Sequence, residues 1–419
     1  MVLQTRIPWR KKMHRLRFLN GPGYYPGKIR LTRPPVPDLA NISDRLTAAL
    51  ASGMLTKGEQ LSEFEAEVTT HMGSKYAIGT SSCTVGLTLS LAALKMAKGK
   101  RLEDRCKVLI PSFTFLATAT ATMWAGCDPV FVDCDKRTFN IDVADLEKKT
   151  TDDVFAIIFT YVFGSPTGVD QVLNFANSRG IPVIFDAAHG FGVLHGGKTV
   201  GNMGLAASYS LTPTKLLTSG EGGFVTTNSE EMANNLRILR EYGSVPGVHD
   251  TEFPGLNGRM SELHAILGRW GLEQLNTEAE NRTKRVSYYK EHLSKVPGIS
   301  FQIIASEDRC SYKDFAIVVD KDAFGMTRDQ LWEVMKKEDF ECKNYFSPPV
   351  HQHKYFNKSG KNFNPGTLDT CPTATQLSGQ TLCPPLFGTM NDAMQDAVIG
   401  AITEAHQNAG EIVSKLSGR

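Results

Sequence analysis

An α/β fold, with a mostly parallel central sheet flanked by helices and a smaller C-terminal α+β domain, is what this 419-residue sequence predicts. Three observations predict it. Between residues 76 and 190, short apolar runs alternate with helical patterns at close intervals. Those runs are continuously apolar, as strands covered on both faces are. The length also exceeds one ordinary compact domain, which leaves room for a second.

Helical spacing begins at "PDLANISDRLTAALASG", and residues 56–72, "TKGEQLSEFEAEVTTHM", read as a turn followed by an amphipathic helix. Next come strand "YAIGTS", helix "TVGLTLSLAALKMA", strand "KVLIPS", helix "TATATMWAG", strand "PVFVDCD" and helix "DVADLEKKT". The alternation continues through strand "FAIIFTYVFG", helix "VDQVLNFANSRG" and strand "PVIFDAAHG". "RMSELHAILGRWGLEQLNTEAENRTKRVSYYKEHLSKV" predicts one long or kinked helix, and residues 300–419 mix both patterns. The expected divisions are a basic arm over 1–35, a large α/β domain over 36–285 and a smaller domain over 286–419.

Nine basic residues from Arg6 to Arg33 precede the first acid, Asp38. This segment reads as a solvated, partly ordered arm, with anion binding or targeting as the alternative. Elsewhere, 41% hydrophobic and 21% charged residues with a net charge of +2 lack the basicity of a nucleic-acid binder. The eight cysteines show no CxxC pairs or zinc-ligand spacing, so reduced thiols and no structural metal are expected. No apolar run approaches the ~18 residues of a membrane span, and no apolar stretch marks a secretory leader. The cytoplasm is the expected location.

In such a sheet, sites belong at the C-terminal strand ends. "PVIFDAAHG" ends its apolar run at Asp186, where a carboxylate wants a cationic partner. "GTSSCTVGL" puts Ser81, Ser82, Cys83 and Thr84 at a strand-to-helix junction, where free N–H groups favour a phosphate, although helix caps are the commoner use of such residues. "PSFTFLAT" brings Phe113 and Phe115 to another strand end. "SYSLTPTKLLTSGEGGFVTTN" fixes Lys215 between small hydroxyls and a Gly-rich turn. Together these are the parts that pyridoxal 5′-phosphate requires. A lysine amine holds the aldehyde and shuttles a proton, and an acid at the ring nitrogen keeps the ring electron-withdrawing. The lysine must be desolvated or near other cations to be nucleophilic.

From about residue 48 to 400 the sequence resembles the DegT/DnrJ/EryC1/StrS sugar aminotransferases, of the aspartate-aminotransferase-like fold type I. The likeness rests on "SGMLTKGEQLSEFE", "SSCT", "PSFTFLATATATMWAGCDPVFVDCDKRTFNID", "FDAAHGFG", "YSLTPTKLLTSGEGG", "GLNGRMSELHAILG", "YFSPPVHQHKYF" and "LCPPLFGTMND", in order. The resemblance implies that Lys215 forms the internal aldimine and acts as acid and base, and that Asp186 pairs with the pyridinium. It implies further that Phe115 stacks on the cofactor, that His189 lies beside the ring hydroxyl, and that Ser210 binds phosphate with Ser82, Cys83 and Thr84. Asn257 would reach the cofactor of the other subunit in a homodimer, and Arg259 would make either a surface ion pair or a substrate contact.

Cys83 stands where the family has glycine, so a shifted loop is expected if φ is positive there; its expected role is structural, not nucleophilic. Leu211 and Thr212 replace an aromatic residue and a histidine, and the "ALKMAKGKRLEDRCKV" stretch is longer than the pattern, with the substrate entrance or dimer surface as its expected place. The implied reaction is ping-pong transfer of an amino group from an amino acid, L-glutamate, to a keto group of a nucleotide-linked deoxy sugar. The alternatives are a keto-cyclitol or other antibiotic-precursor acceptor, and a non-catalytic regulatory relative. Lys215 speaks against a dehydrating relative, which lacks the lysine.

Overall fold

The computed structural model describes residues 15–418 apart from 246, 248, 249, 252 and 359–370. Two helices, α1 (Ser43–Ser52) and α2 (Glu59–Met72), lead into an alternating series. It runs β1 (Tyr76–Thr80), α3 (Cys83–Ala97), β2 (Cys106–Pro111), α4 (Leu116–Trp124), β3 (Cys127–Val132), α5 (Val143–Lys149), β4 (Val154–Thr160), α6 (Val169–Ser178) and β5 (Val183–Asp186). A small hairpin, β6 (Leu194–His195) and β7 (Lys198–Thr199), precedes β8 (Ala206–Ser210), β9 (Gly223–Thr227) and α7 (Glu230–Arg240). The predicted strand and helix runs all form, within a few residues of their expected ends.

The main sheet has the order β1-β9-β8-β5-β4-β2-β3. Only β9 runs against the rest; the pairs from β8 to β3 are parallel. Thr80, Pro111, Thr160, Asp186 and Ser210 therefore end their strands on one edge. Separate apolar clusters cover the two faces, one centred on Leu87, Ile110, Ile158 and Ile184, the other on Phe64, Leu109, Phe159 and Phe185. Neighbours on one strand belong to opposite clusters, the period-2 geometry of a sheet buried on both sides. Close layering needs small residues at crossings. A Cβ on Gly86 of α3 would come within 2.3 Å of Ser208 Oγ on β8, and one on Gly223 within 2.5 Å of the Ser82 backbone.

The long helix is a single α8 (Glu262–Leu293), capped by Ser261, and residue 285 lies inside it. Beyond it lie β10 (Ile299–Phe301), β11 (Asp308–Arg309), β12 (Ile317–Val319), α9 (Lys321–Phe324), α10 (Arg328–Lys337), α11 (Lys354–Lys358), α12 (Pro372–Gln380), β13 (Thr381–Leu382), α13 (Asp392–Gln407) and α14 (Ala409–Leu416). Strands β10, β12 and β13 form a small sheet, and β11 joins the β6–β7 hairpin.

The basic segment departs from expectation. Residues 16–31 are not a solvated arm: Leu16, Leu19 and Ile29 are buried in the third apolar cluster, with Val286, Phe340, Leu382 and Ile402. The backbone amides of Leu16 and Tyr24 donate to Glu404 and Glu338, and Ile29 bridges to Phe340. Residues 1–14, which carry four of the nine basic residues, lie outside the described residues. The "ALKMAKGKRLEDRCKV" stretch does not line the strand-end cavity, so of its two expected places the substrate entrance is not the one it takes. It runs from the last turn of α3 into the start of β2, at the end of the sheet remote from the strand C-termini, and buried Lys95 pins it by donating to the carbonyls of Leu102, Asp104 and Gly126 at 2.8–2.9 Å. Among the described residues no helix is long and apolar enough to cross a membrane.

Candidate active site

The C-terminal strand edge opens into a cavity of about 340 Å³. Ser82, Cys83, Thr84, Phe115, Asp186, His189, Ser210 and Lys215 all line it, so eight of the nine sequence-predicted site residues come together. They arrive from the ends of β1, β2, β5 and β8, which the parallel topology brings side by side.

Asp186 ends β5, in register with Thr160 of β4 and Ser208 of β8. Its carboxylate is buried and held at both oxygens: Thr118 Oγ1, one turn into α4, donates to Oδ2 at 2.6 Å, and the Ala188 amide donates to Oδ1 at 3.2 Å. Burial raises its proton affinity above the ordinary value, against the pull of these hydrogen bonds and of Lys215. A carboxylate oriented this firmly and desolvated calls for a cation.

Lys215 follows β8 in a turn closed by Leu211 N to Gly222 O at 3.0 Å and Ser219 N to Leu211 O at 3.0 Å. Its ammonium is destabilised to a pKa of about 8, first by burial and then by the charge of Lys313, with Cys83, Asp314 and Asp186 pulling the other way. Both conditions for a nucleophilic lysine are thus met, desolvation and a neighbouring cation.

At the start of α3, Ser82 is the N-cap, its Oγ accepting from Val85 N at 3.2 Å. Cys83 is the first helical residue and is absent from the described residues with positive φ, so the expected loop shift has no cause here. Its sulfur turns under the cavity, towards Ser208 O at 3.3 Å, and burial pushes the thiol pKa up. What this junction offers an anion is therefore backbone N–H and the Thr84 side chain, not the thiol. Ser210, Thr212 and Thr214 add a chain of hydroxyls, with Oγ separations of 3.4 and 3.5 Å.

Phe115 is 60% exposed, with apolar surface free at the cavity. His189 Nδ1 is buried without a partner, and burial, then Lys215 and Lys313, hold the imidazole pKa well below the usual value. Asn257 is exposed and does not line this cavity; its backbone bridges to Glu241. Arg259 makes the ion pair allowed for it, with Glu241 at 2.9 Å, and lies over the Tyr242 ring.

Several lining residues escaped sequence reading. Lys313, Asp314, Tyr345 and Phe346 reach the cavity from the last third of the chain, and Thr118 lies behind Asp186. The available signal for the first two was a charged pair inside the otherwise apolar run "YKDFAIVV".

A lysine of lowered proton affinity, a buried acid and a helix N-terminus in one cavity at the strand ends define a pyridoxal-phosphate enzyme of the aminotransferase fold. The chain belongs to the DegT/DnrJ/EryC1/StrS aminotransferase family, whose profile matches residues 38–403. It is therefore a transaminase, and the cofactor is pyridoxal 5′-phosphate. It is 30% identical to the spore coat polysaccharide biosynthesis protein SpsC of Bacillus subtilis, over 87% of this chain and 94% of that one. It is 28% identical to the dTDP-4-amino-4,6-dideoxy-D-glucose transaminase of Escherichia coli, over 87% and 95% respectively. The crystal structure of DesI in the presence of its TDP-sugar product superposes with a TM-score of 0.86 at 27% identity, covering 96% of this chain and 99% of DesI. The donor set fits the cofactor, most tellingly at His189 Nδ1, a buried polar atom still in want of a partner.

Proposed function

We propose that this transaminase moves an amino group from an amino acid, L-glutamate, to the keto group of a nucleotide-linked deoxy sugar, in two half-reactions at one site. The observation that carries the chemistry is the shared cavity of Lys215 and Asp186. The acceptor class is supported by two relatives, the E. coli enzyme named for a dTDP-linked amino sugar and DesI with its TDP-sugar product.

Bound pyridoxal phosphate supplies the aldehyde that carries nitrogen between substrates and a ring that withdraws electrons. In this reading Lys215 Nζ, about half deprotonated near pH 8, would hold the cofactor and move a proton to and from the substrate carbon. Asp186 holds the positive ring nitrogen, and Thr118 fixes the carboxylate for it. Phe115 would pack against the bound ring, and His189 Nδ1, buried without a partner, would offer it a hydrogen bond. Ser82, Cys83, Thr84 and Ser210 hold phosphate, Cys83 through its backbone. The partner's Asn257 completes that end in a homodimer, which fits its exposed place outside the chain's own cavity. The eight cysteines are buried and free, which supports a reducing compartment, the cytoplasm.

The test is the visible spectrum of the protein with pyridoxal phosphate before and after L-glutamate. A yellow band that collapses with glutamate and returns with a keto-sugar nucleotide is expected. No band at saturating cofactor would sink the assignment of Lys215.

A further inference from the structure

The cavity holds a second pair of charges, used above only for the effect of its lysine on Lys215. Lys313 Nζ and Asp314 Oδ2 lie 2.7 Å apart, each side chain only 4% exposed, and the ammonium lies 5.1 Å from the centre of the Tyr345 ring. Burying two charges costs several kcal/mol per ion before their attraction is counted, and apolar side chains of similar volume often serve stability as well. The fold nevertheless invests in holding this pair still. Buried Arg282, itself paired with Glu278 at 2.8 Å, donates to the carbonyls of Tyr312 at 3.2 Å and Lys313 at 2.9 Å. The Lys313 amide donates to Phe163 O at 3.2 Å, and Ser311 Oγ to the carbonyl of His189 at 2.7 Å. The segment is thus tied to the same loop that carries a predicted cofactor contact.

An ammonium has three donors, and Asp314 uses one; a carboxylate has more acceptor positions than Lys313 fills. What remains, facing a cavity, is a fixed donor beside a fixed acceptor with no net charge. That combination suits a neutral hydroxyl, which accepts from one and donates to the other. It suits a carboxylate poorly, because Asp314 would repel it. We propose that Lys313 and Asp314 are specificity-determining residues that read ring hydroxyls of the sugar acceptor. This rests on the nucleotide-sugar reading above and deepens it.

The experiment uses the holoenzyme and the double variant Lys313→Met/Asp314→Asn, which leaves no orphaned buried charge. Calorimetric titrations with dTDP-4-amino-4,6-dideoxy-D-glucose and with dTDP alone are compared, alongside the spectral response to L-glutamate. The double variant should bind the amino-sugar nucleotide about 10- to 100-fold more weakly, as loss of charged hydrogen bonds implies, while dTDP affinity persists and the glutamate response shifts only in its pH dependence, since Lys313 no longer depresses Lys215. Lys313→Arg/Asp314→Glu, which restores both signs, should recover part of the loss. Equal sugar-nucleotide binding by parent and double variant overturns the proposal. So does a loss confined to the glutamate response, which would place the donor's carboxylate on Lys313. A parent that answers glutamate yet binds no sugar nucleotide refutes the acceptor reading itself, and the proposal falls with it. A melting curve of the double variant matching the parent separates recognition from folding.

Discussion

Thr118 and Asp186 are joined by a 2.6 Å hydrogen bond, hydroxyl to carboxylate, with both residues buried. The bond lowers the proton affinity that burial raises, so it favours the charged carboxylate that a pyridinium needs. Thr118→Val keeps the shape and removes the donor. Its loss should weaken cofactor binding and turnover by about tenfold, the scale of one hydrogen bond to a charged group, and Asp186→Asn should cost far more because no anion remains. Absorbance titration of apoprotein with pyridoxal phosphate measures the first effect. Unaltered affinity in Thr118→Val would mean that the Ala188 amide suffices to fix the carboxylate.

Lys215 predicts a pH dependence. Its pKa lies at about 8, below the usual 10.5, so the neutral amine predominates above pH 8 and falls about tenfold per unit beneath it. The rate of covalent cofactor attachment to apoprotein should climb with pH and level off near 8. In Lys313→Met one depressing charge is gone, and the levelling point should move upward. A levelling point that stays put would remove Lys313 from the electrostatics of Lys215. Lys215→Ala should bind cofactor without covalent attachment and lose turnover; transamination at the parent rate would refute its role.

Cys83 offers a contrast in reactivity. Its thiol is buried, turned to Ser208 O and raised in pKa, so the thiolate that alkylating reagents require is scarce. Native protein treated with iodoacetamide at neutral pH should remain unmodified at Cys83 by mass spectrometry and keep its activity. Cys83→Ala should bind cofactor nearly as the parent does. Rapid alkylation with inactivation would show that the sulfur faces the cavity after all.

The N-terminal segment makes a stability prediction. Leu16 is fully buried in the cluster that α8, α10 and α13 share, and its amide is held by Glu404. Leu16→Ala should cost about 2–5 kcal/mol in a urea unfolding curve, the range for deleting a buried leucine side chain. A change within experimental error would mean that this segment detaches in solution.

That segment also shows where sequence reading stops. The β1–β5 strands were legible because each carries a short apolar stretch that alternates with a helical pattern, and Asp186 because it closes such a stretch. Lys215 was legible from its small neighbours and the Gly-rich turn after it. Leu16, Leu19 and Ile29 were not, since basic residues surround them and partners such as Glu338 and Glu404 lie more than 300 positions away. Lys313 and Asp314 were missed for the same reason: only tertiary folding carries the start of the last third to the strand edge. Thr118 lay hidden in an Ala/Thr-rich helix whose periodicity signals packing, because a hydroxyl aimed at a neighbouring strand leaves no pattern of its own.

Asn257 yields the prediction that reaches beyond one chain. It is exposed and outside the chain's own cavity, so a role at the phosphate requires a second subunit. If each site takes Lys215 from one chain and Asn257 from the other, a dimer of one Lys215→Ala chain and one Asn257→Ala chain holds one site lacking both groups and one site lacking neither. Random exchange of equal amounts makes half the dimers mixed, so about one quarter of the parent's sites should be rebuilt from two impaired proteins. Activity measured after exchange, with mixed dimers verified by tagged chains, reads this directly. If the mixture shows only the average of its two components, Asn257 acts within its own chain or at no phosphate, and the shared-site reading fails while the roles of Lys215 and Asp186 stand.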